Sequence, residues 1–332
     1  MRLADAALAS GASPAPLALA GTSAAARRLS ADIRAAARAS CVLLESEAGL
    51  DTAEIAREIH LQSGRPGTFL AVDCAAAEPG VIEREMFGDQ PRRTPGDLES
   101  IGPRSALAAA RGGTLYLGDF SELSAAAQGR LARVVRDDEV RIAGERCRLD
   151  VCLVVTTASD LASEVAEGRV RHDLARHLSR TRVGVPALRR RPEDIPQMLE
   201  ILIAARCAEA GMAARSLTQA ATTLLAAMPW RGNLVELRHA VTRLVSSAAG
   251  EHIQLEDVLA HVRFDGALSH PPGTGTLRSA RQQFERDYFA LVLQHHRGRV
   301  GDAARALGIQ RTNLYRKARQ LGISVARPLH SS

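Results

Sequence analysis

Four short apolar runs recur between residues 41 and 157, each closed off by polar residues or glycine and each followed by a stretch with helical spacing. The runs are Cys41–Glu45, Thr68–Asp73, Thr114–Leu117 and Val151–Thr157. The stretches between and after them are Thr52–Gln62, Val81–Phe87, Ser124–Asp137 and Val170–Leu178. Runs this short, apolar almost throughout, suit strands covered on both faces, and their regular alternation with helices predicts a parallel α/β sheet. From Arg191 onward the spacing is helical throughout, with helices expected at Glu193–Ala210, Thr218–Met228, Asn233–Ser247 and Gln254–Val262. Gly266–Gly275 (GALSHPPGTG) has linker composition, and Leu277–His296 reads as a long amphipathic helix ahead of two short ones around Gly308. The expected organisation is a loose tail over 1–18, an α/β unit over 19–185, a helical unit over 186–264, a linker over 265–276 and a helical C-terminal unit over 277–326.

Charge divides the chain. From Leu277 to Ser332 there are 11 Arg and Lys against 3 Asp and Glu, a balance of +8. The whole chain carries +6 (43 against 37), which leaves −2 for residues 1–276. A near-neutral body with a basic tail points to a polyanion as partner of the tail alone. The five cysteines form no C-x-x-C pair and no His cluster has metal spacing, so reduced thiols are expected, with no metal site. No apolar run reaches membrane-span length and the Ala-rich start lacks signal-peptide character, so a cytoplasmic, nucleoid-associated protein without membrane contact is expected.

The tail carries a recognisable helix pair. Ala303, Ala304, Leu307 and Ile309 have the apolar spacing of a first helix and its turn at Gly308, while Leu314 and Leu321 give the second helix an inner face. Arg311, Thr312, Asn313, Tyr315, Arg316, Lys317 and Arg319 form the candidate DNA-contacting set. A solvated basic helix accounts for the charge alone; spacing, glycine turn and charge together favour a helix-turn-helix on DNA. Arg and Asn suit bidentate contacts to guanine and adenine edges, and the other basic groups suit phosphate.

Six strings stand in order along the body: EREMFGD (83–89), GGTLYLGDF (112–120), VVTTASDL (154–161), GRVRHDLARHL (168–178), PALRRRPEDIP (186–196) and WRGNLVEL (230–237). Together they resemble the AAA+ domain of the sigma-54-dependent activators, the bacterial enhancer-binding proteins. GRVGDAARALGIQRTNLYRKARQLGI (298–323) resembles the Fis-type helix-turn-helix that ends those proteins. The likeness covers roughly residues 19–323 and implies a P-loop-like α/β AAA+ domain, an all-α lid and an all-α helix-turn-helix. It also implies a member lacking an N-terminal regulatory module, with Leu277–His296 pairing the DNA-reading heads.

Set against that family, the nucleotide positions depart from pattern. The P-loop aligns with Ser46 to Ala53, where Ser46 replaces the first glycine, Gly49 is kept, Asp51 replaces the last glycine and Thr52 replaces the lysine. Lys317 is the only lysine of the chain, so no register shift supplies one to the body. A GC-rich genome explains scarce lysine in general but not its loss where phosphate charge must be neutralised. Arginine's broad fork fits that nest poorly. Gly118 and Asp119 stand where the family has Asp-Glu, Ala158 where it has the first sensor's Asn, and Val235 where it has the second sensor's Arg. Of the two arginines that reach a neighbouring subunit's nucleotide, Arg171 is kept and His177 stands at the other, beside Arg176. The segment Asp89–Ser100 holds none of the Phe-containing loop that meets sigma.

The resulting expectation is a sequence-specific DNA-binding transcriptional regulator on a catalytically degenerate AAA+ scaffold. No catalytic residue and no cofactor are assigned, although ATP or another nucleotide remains open as an unhydrolysed ligand. The expected partners are near-palindromic double-stranded DNA, further copies through the AAA+ body and the tail helix, and RNA polymerase or an active relative. Two alternatives stay open: an activator retaining some ATPase activity, and a ligand-sensing AAA+ regulator.

Overall fold

The structure is a computed structural model, which describes residues 16–89, 97–157, 160–248, 250–262, 300–307 and 309–323, with residues 286, 289, 292 and 293 between. It divides into two units, Met1–Ala187 and Leu188–Ser332, each taken by itself below.

The first unit is built on a five-stranded sheet. Its strands are β1 (Cys41–Glu45), β2 (Phe69–Asp73), β4 (Thr114–Gly118), β7 (Cys152–Thr156) and β8 (Arg182–Gly184), in the order β2-β4-β7-β1-β8 and parallel throughout. β4 and β7 are buried at every residue, and β1 at all but Glu45, as expected of strands with helices on both faces. The helices α1 (Ala24–Ala36), α2 (Thr52–Ser63), α3 (Pro79–Phe87), α4 (Ala106–Ala109), α5 (Ala125–Asp137), α6 (Leu161–Ala166) and α7 (His172–Leu178) surround it. Ser23, Ser105, Ser124 and Asp160 cap α1, α4, α5 and α6 with side-chain oxygens, each answering a helix-end N–H that has no partner inside the helix.

The four expected strands and their helices are present, with ends shifted by two residues or fewer. Four strands were not anticipated. β8 buries only Val183, so its sequence carries no apolar run. β3 (Glu99–Ile101), β5 (Glu139–Ile142) and β6 (Glu145–Arg148) form a separate small sheet whose hairpin turns at Ala143 and Gly144, both at positive φ. That geometry matches the twist of a two-residue hairpin, but Ala at the first turn position disguises it in the sequence.

In the second unit α8 (Ile195–Glu209), α9 (Gln219–Ala227), α10 (Asn233–Ser247) and α11 (Leu255–His261) pack together. α8 starts two residues later than expected because Pro192–Asp194 forms a tighter 3-10 turn. Thr218 caps α9, and Gln254 with Asp257 forms a capping box on α11. β9 (Ser216–Leu217) and β10 (His252–Ile253) make a two-residue parallel bridge. In the tail the helices Val300–Ala306 and Arg311–Gln320 close a small core of Val292, Leu293, Val300, Ala303, Ala304 and Leu314, with Leu307 and Ile309 packed against it. The expected linker, most of Leu277–His296, and Gly308 lie outside the described residues.

Candidate functional site

At the carboxyl ends of β1, β2, β4 and β7 lies a cavity of about 570 Å³. This is the edge of a parallel sheet where ligands bind, since strand ends and helix starts converge there. Ser46, Gly49, Asp51, Thr52, Gly118 and Asp119, singled out in the sequence from two separate segments, all line it. Gly49 has φ 81°, which lets the chain turn back into α2.

The cavity floor is tied by hydroxyls. Tyr116 Oη lies 2.7 Å from Thr52 Oγ1 and 3.4 Å from Thr156 Oγ1, and Thr156 Oγ1 accepts from the Asp119 backbone N–H at 3.1 Å. Tyr116 and Gly118 share one face of β4 by the two-residue period of a strand, and a Cβ at position 118 would stand 3.3 Å from the phenol oxygen. The glycine therefore leaves room for the tyrosine. Thr52 N–H is turned back onto Leu50 carbonyl at 2.9 Å. Sequence reasoning missed Tyr116 and Thr156; the parity of Tyr116 with Gly118 was the available signal. Removing the hydroxyl in Tyr116→Phe is expected to lower unfolding stability by about 1–2 kcal/mol, read as a shifted urea midpoint with unchanged slope.

The charge of the cavity is one-sided. Glu47, Asp51, Glu54, Asp73 and Asp119 line it, and no lysine, arginine or histidine does among the described residues. Burial pushes the Asp119 carboxyl above its ordinary range, and repulsion from Asp73, Glu122 and Glu164 adds to the rise. Burial also raises the Tyr116 phenol, against the opposing hydrogen bonds from Thr156 and Thr52. Such a cavity repels a polyphosphate on approach. Beneath it, Cys74 is buried among carboxylates with its thiol pushed up to about 12, an unreactive core residue.

The remaining sequence-picked positions stand apart. Ala158 lies outside the described residues. Arg171 is exposed and forks onto its neighbour Asp173 at 2.8 and 3.0 Å, while its backbone N–H donates to Gln128. Residues 90–96 of the Asp89–Ser100 segment are outside the described residues. Its end, Glu99, is buried and clamped by Arg130 and Arg133 at 2.7 and 2.8 Å, with Arg130 over the Phe87 ring. Arg191 and Asp194 are both buried, and burial lowers the guanidinium's pKa while Asp194 works to raise it.

Val235 is exposed on α10 of the second unit. Trp230 is fully buried there at φ 40°, its ring N–H donating to Leu225 carbonyl at 2.8 Å, the expected packing anchor. Asn233 is not the N-cap expected. Gly232 takes that place, and Asn233, buried at φ 51°, accepts from Leu188 N–H at 3.1 Å. A left-handed backbone turns its amide inward, where a buried backbone donor needs it.

In the tail, Arg311, Asn313, Arg316 and Arg319 are exposed and Tyr315 and Lys317 half-buried, while Leu314 and Ala318 face the core. The side chain of Thr312 lies outside the described residues. The exposed set begins at the first turn of the Arg311–Gln320 helix, whose start carries no acidic side chain. Among the described residues no helix is long and apolar enough to cross a membrane, and no cluster of His, Cys, Asp and Glu has the arrangement of a metal site.

Three family profiles match consecutive stretches: "Sigma-54 interaction domain" over residues 19–184, "AAA+ ATPase lid domain" over 189–272 and "Bacterial regulatory protein, Fis family" over 280–321. The chain is 33% identical over 298 residues to the nitrogen assimilation regulatory protein NtrX of Azorhizobium caulinodans, covering 85% of this chain and 64% of that protein. It is 32% identical over 279 residues to the transcriptional regulatory protein ZraR of Klebsiella oxytoca, covering 83% and 62%. It thus spans less than two thirds of these curated relatives. The crystal structure of NtrX from Brucella abortus in complex with ATP superposes with a TM-score of 0.72 at 30% identity, covering 92% of this chain and 69% of that one.

Proposed function

From the premise that this chain belongs to the sigma-54-dependent activator family, with an AAA+ body, a helical lid and a Fis-type tail, we propose that it is a sequence-specific DNA-binding transcriptional regulator whose nucleotide pocket does not turn over ATP. The DNA reading rests on the tail: a closed apolar core beneath an exposed row of Arg311, Asn313, Arg316 and Arg319. One such helix pair covers a half-site, so the chain acts as a dimer or larger assembly on a near-palindromic site, joined through the tail helix and the AAA+ body. The silent pocket rests on its five carboxylates, its missing cation and the Thr52–Tyr116 bond in the lysine's place. In this reading the body serves assembly and partner contact, with RNA polymerase or an active relative as the partner. The work is done in the cytoplasm, on the nucleoid.

Fluorescence anisotropy of the full chain against selected and random duplexes, at two salt concentrations, tests the DNA part. Arg311→Ala or Asn313→Ala is expected to weaken the selected site by roughly 1–3 kcal/mol and to leave random DNA nearly unchanged. Lys317→Ala or Arg319→Ala is expected to weaken both duplexes alike and to flatten the salt slope by about one unit. A wild-type chain with no preference for any selected duplex sinks the regulator reading.

A further inference from the structure

The second unit holds a cavity of its own, about 660 Å³, against α10. Its charge is opposite to that of the cavity in the first unit. Arg231, His239 and Arg243 line it, and all three are exposed. His239 and Arg243 stand one turn apart, with Thr242 beside them and Val235 one turn before His239, so these residues share one face of α10. Arg231 flanks the start of the same helix. None of the three basic side chains has an acidic partner among the described residues. The single carboxylate of the lining, Glu236, is folded back to accept from Gly232 N–H at 2.8 Å, where it answers the helix start.

Exposed cations on one helical stripe are commonplace, and a helix face alone specifies nothing. Here the stripe borders a concavity of small-ligand size, with exposed Val235 and buried Ala240 and Val262 as apolar wall. Two guanidinium forks and an imidazole converging on one hollow match the oxygens of a phosphate group, each fork offering paired donors. We propose that this lid cavity is a binding site for a small phosphate-bearing anion, a nucleotide or an inorganic polyphosphate. The site is independent of the acidic cavity of the first unit, and it does not rest on the DNA-binding reading.

Trp230 is the only tryptophan of the chain and lines this cavity, so its fluorescence reports the lid and not the basic tail. The full chain is titrated without magnesium, with sodium tripolyphosphate and separately with ATP. Calorimetry on the same chains gives a second readout. Saturable change in tryptophan emission is expected. The Arg231→Ala/Arg243→Ala double variant, altered only at exposed positions, should weaken it at least about tenfold with unchanged circular dichroism. Val235→Arg, which adds a guanidinium between the existing cations, should tighten it several-fold. ATP binding much tighter than tripolyphosphate identifies a nucleotide as the source, and equal binding identifies phosphate alone. The proposal is overturned by no saturable change in either readout, or by an affinity that the double variant leaves intact. DNA anisotropy reads the tail, so failure of the lid site and failure of the regulator reading are seen separately.

Discussion

Mixed with Mg-ATP, the purified chain is expected to release phosphate no faster than a protein-free blank. Phosphoryl transfer asks a protein for a phosphate cradle, a cation on the β and γ oxygens, a metal ligand and a carboxylate that orients water. In the cavity of the first unit only the last has a counterpart, Asp119, and burial together with Asp73 holds that carboxyl above its ordinary range. At the position the family gives to lysine, Thr52 is engaged by Tyr116 at 2.7 Å. Thr52→Lys alone should gain less than about tenfold, since catalytic parts that act as a unit are not restored one at a time. A new ammonium would also meet the phenol of Tyr116 and the carboxylates of Asp51, Glu54 and Asp73 before any phosphate. Turnover above the blank that Asp119→Ala abolishes would falsify the silent-pocket reading.

Trp230→Ala is expected to destabilise the second unit by about 3–5 kcal/mol. The indole is fully buried and Leu225 carbonyl loses its donor, so a large cavity and an unanswered acceptor arise together. The position also has φ 40°, which alanine tolerates no better than tryptophan, so the backbone gives no relief. The variant removes the chain's only tryptophan, so the urea midpoint is followed by far-ultraviolet circular dichroism. A loss under about 1 kcal/mol would mean that the lid collapses around the void, and that Trp230 is no anchor.

Local pattern made much of this architecture legible. Cys41–Glu45, Thr114–Gly118 and Cys152–Thr156 are apolar almost throughout because strands buried on both faces must be, and that needs no partner to be read. Thr218 and Gln254 announce helix starts through side chains that reach only three residues ahead. The small sheet of β3, β5 and β6 gave no such signal: its strands are short and partly exposed, and its identity comes from pairing Glu99–Ile101 with residues some 40 positions away.

The sequence by itself determined the alternating α/β body, the helical lid, the basic helix pair and the absence of any lysine before Lys317, because periodicity, composition and net charge are properties of neighbours along the chain. Only the tertiary structure decided what fills the lysine's place and where positive charge collects. Tyr116 meets Thr52 across 64 residues because the sheet order puts β4 beside β7 and brings its end under the start of α2. The five carboxylates converge from the ends of separate strands, while Arg231, His239 and Arg243 converge through one helical turn beside a hollow. Electrostatic attraction and repulsion depend on distance in space, so the sign of each cavity is fixed by packing and not by order in the chain.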